Sequence, residues 1–229
     1  MAGFDLIIFD CDGVLVDSEI IAAQVESKLL SDAGYPITAE ELAERFAGLT
    51  WKDILFEVER EASIPFSATL LDASEALLDK KLGTEVRAID GVAEAIARIP
   101  GPRCICSNSS AHRLKAMLAR TGLDRLFGEH VYSAKEVGEG RTKPEPDVFL
   151  HGAKQFDVKP AKVLVIEDSV HGIHAATAAG MRVVGFTGGS HSYPGHADKL
   201  TEAGAETVIR RMTDLPATVE ALAAWSDLL

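Results

Sequence analysis

Short apolar runs alternate with amphipathic stretches along most of the chain. Four runs of five or six residues are largely apolar, which is typical of strands buried on both faces; they cover residues 5–10, 103–107, 162–167 and 182–186. Helical periodicity is found near 91–98, 110–120, 145–156 and 169–180. Because strands that alternate with helices form a parallel sheet covered on both faces, the pattern predicts an α/β fold.

Residues 18–83 have a different pattern, with apolar positions at helical spacing and no convincing strand. Helix-breaking residues divide this segment into three or four helices; they fall at Gly34–Pro36, Gly48 and Pro65. The expected fold is therefore a Rossmann-like, doubly wound parallel sheet with an inserted all-helical cap. We expect residues 1–17 and 84–229 to form the core domain and 18–83 the cap, with hinges near Val16–Ser18 and Gly83–Gly91.

Composition narrows the class of partner. The chain has 229 residues, of which 47% are hydrophobic, as in an ordinary globular protein. Its 23 basic and 35 acidic side chains give a net charge of −12, which repels nucleic acid and anionic membranes. We therefore expect a small-molecule partner, no nucleic acid and no membrane. An anionic substrate would need local positive charge, such as a metal ion.

Cysteine usage and the N-terminal sequence bear on the cellular compartment. The three cysteines are odd in number and form no CxxC pair, so we expect no disulfide framework. Cys104 and Cys106 lie two apart in a predicted strand, which favours core packing. The N-terminus has no charged-then-apolar leader, so we expect a cytoplasmic protein. We expect a monomer, with a dimer as the alternative.

Chemistry-bearing residues follow the predicted strands. Because ligands bind beyond the carboxyl ends of parallel strands, these side chains should meet at one edge of the sheet. They are Asp10, Asp12 and Gly13 after the first strand, Ser107, Asn108 and Ser109 after the second, Lys143 in a loop, and Glu167 with Asp168 after the strand 162–167. Four acids at close range need compensation, and Mg²⁺ prefers oxygen ligands and pairs with phosphate.

The arrangement matches the requirements of phosphoryl transfer: a nucleophile, an acid/base and positive charge. Gly13 permits a tight turn that points Asp10 and Asp12 into one cleft, where one carboxylate attacks phosphorus and the other handles the leaving-group proton. An isolated Asp-x-Asp or Glu-Asp-Ser is more often a turn or a helix cap. The ordered combination of all four segments favours function.

Four segments together resemble the haloacid dehalogenase superfamily of phosphohydrolases, in the subgroup that includes β-phosphoglucomutase and sugar-phosphate phosphatases. The resemblance covers about residues 4–187. Its motifs are FDCDGVLVDSE (Phe9–Glu19), CSNSS (Cys106–Ser110), KPEPDVF (Lys143–Phe149) and VIEDSVHGIHAATAAGM (Val165–Met181).

The resemblance implies a role for each matching position. Asp10 is the implied nucleophile, forming an aspartyl-phosphate, and Asp12 the implied acid/base. Ser107 and the Asn108 backbone would contact the phosphoryl group, and we expect the same of Gly13 and Ser109. Lys143 would bridge the nucleophile and the phosphoryl oxygens. The implied Mg²⁺ ligands are Glu167, Asp168, a carboxylate oxygen of Asp10 and the backbone carbonyl of Asp12. A helical cap that closes over the substrate is also implied.

The main alternative is a hexose-phosphate mutase, which needs a second phosphate site. In the stretch Ala47–Lys52, Trp51 stands where β-phosphoglucomutases carry a cap arginine, and an indole cannot replace a guanidinium fork. Ala22 stands where those mutases place a histidine. We therefore expect a phosphatase acting on a sugar phosphate or sugar acid phosphate, with phosphoglycolate left open. A non-catalytic binding protein is disfavoured, since no required group is missing.

Other polar residues have two interpretations each. Arg45, Lys52 and Arg60 either meet an acidic leaving group or form a solvated helix face, and we expect the solvated face for each. Trp51 either stacks on sugar or packs the cap. We expect packing for Trp51. His171 and His174 are interpreted as residues that pack against other helices or that support the site residues from outside. His191 and His196 are expected to be exposed, at the rim of the cleft.

Overall fold

A computed structural model describes residues 3–46, 51–62, 68–137 and 140–226. Its strands are β1 (Leu6–Phe9), β2 (Arg103–Ser107), β3 (Val131–Ser133), β4 (Val163–Glu167), β5 (Arg182–Phe186) and β6 (Thr207–Ile209). Its helices are α1 (Glu19–Asp32), α2 (Ala39–Arg45), α3 (Trp51–Ala62), α4 (Ala68–Glu85), α5 (Val92–Arg98), α6 (Ala111–Thr121), α7 (Asp124–Phe127), α8 (Asp147–Gln155), α9 (Val170–Ala178), α10 (His196–Glu202) and α11 (Leu215–Ser226).

The strands form one parallel sheet in the order β3-β2-β1-β4-β5-β6. Strand β1 lies between β2 and β4, with Ile8 opposite Cys104 on one side and Val165 on the other. The chain runs outward from β1 to β3, then returns to β4 and runs outward the other way. This reversal at β1 opens a crevice at the carboxyl ends of the strands. The predicted doubly wound sheet is confirmed.

Alternate residues of β1 pack into two separate cores. Ile7 and Phe9 face the layer that contains α5, α6 and α11, and Leu6 and Ile8 face the layer of α8, α9 and α10. Cys104 and Cys106 are free and buried in the second layer, as predicted. Burial on both faces explains why these strands are nearly continuous apolar runs.

The sequence pattern missed β3 and β6. Each has three residues, too few for a recognisable apolar run, and each lies at an edge of the sheet, where burial is only partial. The four longer strands were predicted within one residue at each end.

Helices α1–α4 follow β1, where the helical insertion was predicted. They share a small core that includes Leu30, Leu42 and Val58. Ile21 of α1 and Leu82 of α4 pack instead into the main core. The predicted breakers Gly48 and Pro65 lie outside the described residues.

The two connections between core and cap lie side by side. The Asp17 amide donates to the Arg87 carbonyl at 2.9 Å, and the Ile89 amide donates to the Leu15 carbonyl at 2.9 Å. Helix α4 continues through Gly83 to Glu85, so the second connection begins a little later than residue 84. The division into a core domain and a cap domain stays a prediction. Among the described helices, none combines the length and apolarity that crossing a membrane requires.

Candidate active site

A cavity of about 940 Å³ lies at the carboxyl edge of the sheet, beneath helices α1 and α4. The predicted residues that line it come from separate parts of the chain; they are Asp10, Asp12, Ser107, Asn108, Ser109, Lys143, Glu167 and Asp168. Strand ends position most of them, since β1, β2 and β4 end at Phe9, Ser107 and Glu167. The structure therefore brings these predicted residues together around one space.

A buried lysine joins two acids at the floor of this cavity. The Lys143 Nζ lies 2.5 Å from Asp10 Oδ1 and 2.6 Å from Glu167 Oε1. Its side chain is 3% exposed, against 9% for Asp10 and 1% for Glu167, so all three charges are shielded from solvent. The Asn108 side chain holds the lysine backbone: Oδ1 accepts from the Lys143 amide at 2.8 Å.

The pKa values of Asp10 and Lys143 reflect burial opposed by ion pairing. Burial raises the pKa of Asp10 well above its usual range, and the Lys143 charge opposes that effect while Glu167 and Asp168 add to it. Burial alone lowers the pKa of Lys143, but Asp10 and Glu167 raise it above the ordinary value. Lys143 therefore stays protonated as a fixed positive charge beside Asp10.

Asp12 is oriented by two hydroxyl groups. Ser107 Oγ donates to Asp12 Oδ2 at 3.0 Å, and Ser18 Oγ donates to Asp12 Oδ1 at 2.9 Å. The Ser109 amide in turn donates to Ser107 Oγ at 2.9 Å, which orients the Ser107 hydroxyl. Asp12 is thus held beside Asp10 by groups from β2 and from the start of the cap.

Gly13 contributes through its conformation. Its φ of 73° is rarely adopted by L residues, and a Cβ there would lie 1.9 Å from Asp168 Oδ2. Its amide donates to the Val16 carbonyl at 2.8 Å. Gly13 therefore allows the chain to turn and leaves space for the Asp168 carboxylate. Because its amide is already hydrogen-bonded within the turn, its predicted contact with phosphate stays a prediction.

Both carboxylate oxygens of Glu167 are engaged. Oε1 accepts from Lys143, and Oε2 accepts from the amides of Asp168 and Ser169, each at 3.0 Å, and from Ser169 Oγ at 2.9 Å. Gly172 makes room for this carboxylate, since a Cβ there would lie 1.8 Å from Glu167 Oε1. Glu167 is therefore saturated with protein donors and fixes Lys143 in place.

Asp168 is paired with a histidine that the sequence analysis had expected to be exposed. His191 Nε2 lies 3.0 Å from Asp168 Oδ2, and the His196 ring bonds to the Asp168 carbonyl at 2.8 Å. Burial lowers the pKa of His191, but Asp168 outweighs it and raises that pKa to about 9. His196 is only 5% exposed, so the expectation of exposure is wrong for it. No local pattern links positions 168, 191 and 196.

The donor set suits a hard divalent cation. Within the described chain, no three His, Cys, Asp or Glu side chains are already gathered as a metal cage. Lys143 contacts Oδ1 of Asp10 and His191 contacts Oδ2 of Asp168, so each carboxylate keeps a second oxygen without a protein donor among the described residues. Acids outnumber cations here, and oxygen donors of this kind match Mg²⁺.

The remaining cavity wall was not predicted. Glu19, Ala22, Leu78 and Leu82 line it from the cap, and Arg113 lines it from α6. Burial raises the pKa of Glu19 to about 7, although the His191 charge opposes this. In the sequence, only the position of Glu19 at the end of the motif Phe9–Glu19 indicated that its carboxyl group lies near the site.

The cap bases considered earlier do not line the cavity. Arg45 pairs with Glu61 and Tyr35, Arg60 pairs with Glu57, and the Lys52 ammonium lies over the Phe56 ring. All three are exposed, so the structure agrees with the solvated helix face rather than with a contact to the leaving group.

The structure also shows where Trp51, His171 and His174 lie. Trp51 packs against the cap core, as expected. His171 and His174 are exposed on α9, so of the two interpretations packing against other helices is wrong; His171 lines the cavity, which agrees with a position beside the site.

The chain matches known proteins along most of its length. The family model for haloacid dehalogenase-like hydrolases matches residues 4–180. The 6-phosphogluconate phosphatase of Escherichia coli is 27% identical over 88% of this chain and 90% of its own length. A haloacid dehalogenase-like protein of unknown function from Agrobacterium tumefaciens is 68% identical, with a TM-score of 0.91, over 96% of this chain and all of the other. A haloacid dehalogenase family hydrolase from Deinococcus radiodurans, solved with phosphate and sodium, is 35% identical with a TM-score of 0.81. The match covers 100% of this chain and 99% of that protein.

The fold and site therefore define a class. The chain belongs to the haloacid dehalogenase-like hydrolase family. Its phosphatase-named relatives identify it further as a phosphoric monoester hydrolase.

Proposed function

We propose that the protein hydrolyses a small sugar phosphate or sugar acid phosphate, with Mg²⁺, through a phosphorylated Asp10. The observation that carries this proposal is the buried Lys143 fixed between Asp10 and Glu167 at the floor of the cavity. A relative named 6-phosphogluconate phosphatase supports the substrate class. A cytoplasmic location and a monomeric state stay predictions.

The first step forms the covalent intermediate. An Asp10 carboxylate oxygen attacks phosphorus, and the bond from phosphorus to the ester oxygen breaks. The leaving oxygen takes a proton from Asp12, which Ser18 and Ser107 hold at 2.9 and 3.0 Å. The Lys143 ammonium stabilises the charge on the transferred phosphoryl group.

The second step regenerates the enzyme. Asp12, now a carboxylate, takes a proton from water as that water attacks phosphorus. The bond from phosphorus to Asp10 breaks, inorganic phosphate leaves, and both aspartates return to their starting forms. Fixed hydrogen bonds to Asp12 favour this exchange of roles because no side chain has to be repositioned.

Mg²⁺ would be held by Asp10, Asp168 and the Asp12 backbone carbonyl, and would supply positive charge to the phosphoryl oxygens. Glu167 was predicted as a metal ligand. Because Lys143, two amides and a hydroxyl already engage its oxygens, we assign it to holding Lys143 and the Asp168 loop.

The mutase alternative lacks support from the cap. The described cap residues on the cavity are Ser18, Glu19, Ala22, Leu78 and Leu82, which include no cation for a second phosphate. Gly48 and Thr50 of the stretch compared with the mutase arginine lie outside the described residues, whereas Trp51 packs inside the cap. Assembly of all the reactive groups around one cavity also disfavours a non-catalytic binding protein.

The test is Mg²⁺-dependent phosphate release from sugar phosphates, sugar acid phosphates, phosphoglycolate and nucleotides, with EDTA controls. Asp10→Asn should keep the fold and lower turnover by at least about 10³-fold, because the nucleophile is lost. Asp5→Asn, an exposed acid on the same segment, is the matched control. Substantial turnover by Asp10→Asn would refute the assigned nucleophile. Conversion of β-glucose 1-phosphate to the 6-phosphate without phosphate release would establish the mutase instead.

A further inference from the structure

The cavity contains one arginine. Among the arginines of the described residues, only Arg113 lines it. The other cations there are engaged: Lys143 with Asp10 and Glu167, and His191 with Asp168. The Lys199 ammonium lies 5.4 Å from the centre of the Tyr193 ring. Arg113 therefore differs from its neighbours, and the phosphoryl chemistry leaves it unused.

Arg113 is held by one edge of its guanidinium group. Its Nε donates to Asp79 Oδ1 at 2.7 Å, which joins α6 of the core to α4 of the cap. Its side chain is 16% exposed, so the group is shielded and restrained. In the residues that the structure describes, its two terminal nitrogens have no hydrogen-bond partner. These nitrogens can therefore donate to a ligand without breaking the contact with Asp79.

We propose that Arg113 binds a carboxylate at the end of the substrate remote from the phosphate, so that phosphorylated sugar acids are the preferred substrates. This inference rests on the proposed phosphatase function and specifies its substrate. A guanidinium fork matches the two oxygens of a carboxylate. Leu78 and Leu82 of α4, the helix that carries Asp79, also line the cavity, and apolar neighbours lower the local dielectric and so strengthen such a pair.

Charge balance distinguishes a carboxylate from a second phosphate. Asp79 already offsets part of the Arg113 charge, so the pair suits a single negative charge better than two. Two other cations of the cavity, Lys143 and His191, are already paired with Asp10, Glu167 and Asp168, so they offer less to a further anion. A substrate carboxylate is thus attracted more strongly to Arg113 than to any other described residue of the cavity wall.

The test compares two open-chain substrates that differ only at the remote end: gluconate 6-phosphate has a carboxylate there, and glucitol 6-phosphate has a neutral hydroxymethyl group. The wild-type protein should have a kcat/KM at least about tenfold higher for gluconate 6-phosphate, because a charged bidentate pair is worth more than about 1.4 kcal/mol. Arg113→Gln should remove this preference mainly by raising KM. Its kcat/KM for glucitol 6-phosphate should fall less than that for gluconate 6-phosphate, because the lost carboxylate contact affects only the second of these esters.

Two further variants separate recognition from cap docking. Arg113→Lys should restore part of the preference, since it keeps the charge but loses the fork. Arg120→Gln is the matched control, because Arg120 also lies on α6 and its Nε donates to the Thr84 carbonyl of α4 at 2.9 Å, yet it does not line the cavity. Arg120→Gln should keep the wild-type preference.

Binding of the same two esters to Asp10→Asn, with and without Arg113→Gln, measures recognition independently of turnover. Equal affinities in Asp10→Asn, or equal losses for both esters in Arg113→Gln, would overturn the inference. Absence of phosphate release from every ester by the wild-type protein would overturn the phosphatase proposal instead, while the binding preference would still decide the role of Arg113.

Discussion

The floor of the cavity and the cap helices above it hold their shielded acids in opposite ways. At the floor, every buried acid has a cation or a set of amide donors: Asp10 and Glu167 share Lys143, and Asp168 has His191. On the cap helix α1, Glu26 has no hydrogen-bond or ion-pair partner within the described residues. The floor therefore holds its buried acids in fixed pairs, whereas the cap holds a shielded acid without a partner.

The difference shows how this architecture divides its tasks. The floor residues follow strands held by a parallel sheet, so their separations are set by the strand spacing. The cap wall is mostly apolar, with Ala22, Leu78 and Leu82, and its contact with the reactive groups described above is the hydrogen bond from Ser18 to Asp12. We expect substitutions at the floor to affect turnover most, and substitutions in the cap to affect stability and closure.

The largest expected effect comes from removing the shared cation. Lys143→Met should lower kcat/KM by about 10³-fold or more, because the phosphoryl charge loses its fixed partner. It should also destabilise the fold by about 3–5 kcal/mol near neutral pH, since two carboxylates are left buried side by side. Urea denaturation and phosphate-release assays measure the two effects.

A double variant checks the cause of the destabilisation. Lys143→Met combined with Asp10→Asn should regain part of the lost stability without regaining activity, because one of the two repelling charges is gone. A double variant no more stable than Lys143→Met alone would show that repulsion between the Asp10 and Glu167 carboxylates does not cause the destabilisation.

A smaller effect should follow from crowding the carboxylate that holds Lys143. In Gly172→Ala the new methyl group would meet Glu167 at 1.8 Å, so the carboxylate or α9 must shift. We expect a loss of about 1–3 kcal/mol in the free energy of unfolding together with a drop in kcat. The matched control is Gly83→Ala on the cap helix α4, where the nearest atom, Ala116 Cβ, lies 3.9 Å away. That control should be neutral or slightly stabilising, and equal losses in both variants would contradict the comparison.

The smallest effect concerns the unpaired cap acid and depends on pH. Burial, with a contribution from Glu19, raises the pKa of Glu26 from 4.5 to about 8. A raised carboxyl pKa means that ionisation costs more in the folded state, so wild-type stability should fall as pH rises from about 4.5 to 8. Glu26→Gln should weaken that dependence and gain at most a few kcal/mol at pH 8, since each pKa unit corresponds to about 1.4 kcal/mol.

Thermal or urea unfolding at pH 5 and pH 8 measures this difference. Glu40→Gln, at an exposed acid of the cap helix α2, should show the wild-type pH dependence. An identical pH dependence for Glu26→Gln and wild type would show that Glu26 is hydrated in the folded state.

Much of the arrangement followed from local pattern and one topological rule. The alternation of apolar runs and helices predicted the parallel sheet, and the position of Asp10, Ser107 and Glu167 at strand ends predicted that they meet. The short edge strands β3 and β6 left no such signal, because three residues cannot establish a period.

The sequence alone determined which chemistry-bearing groups gather at the sheet edge, because hydrophobic periodicity shows where the longer strands end and the carboxyl ends of parallel strands share one edge. The tertiary structure alone decided how those groups pair. The contacts of Glu167 with Lys143, Asp168 with His191 and Arg113 with Asp79 join positions more than 20 residues apart. No periodicity encodes such contacts, since they depend on how helices and loops pack once the chain is compact.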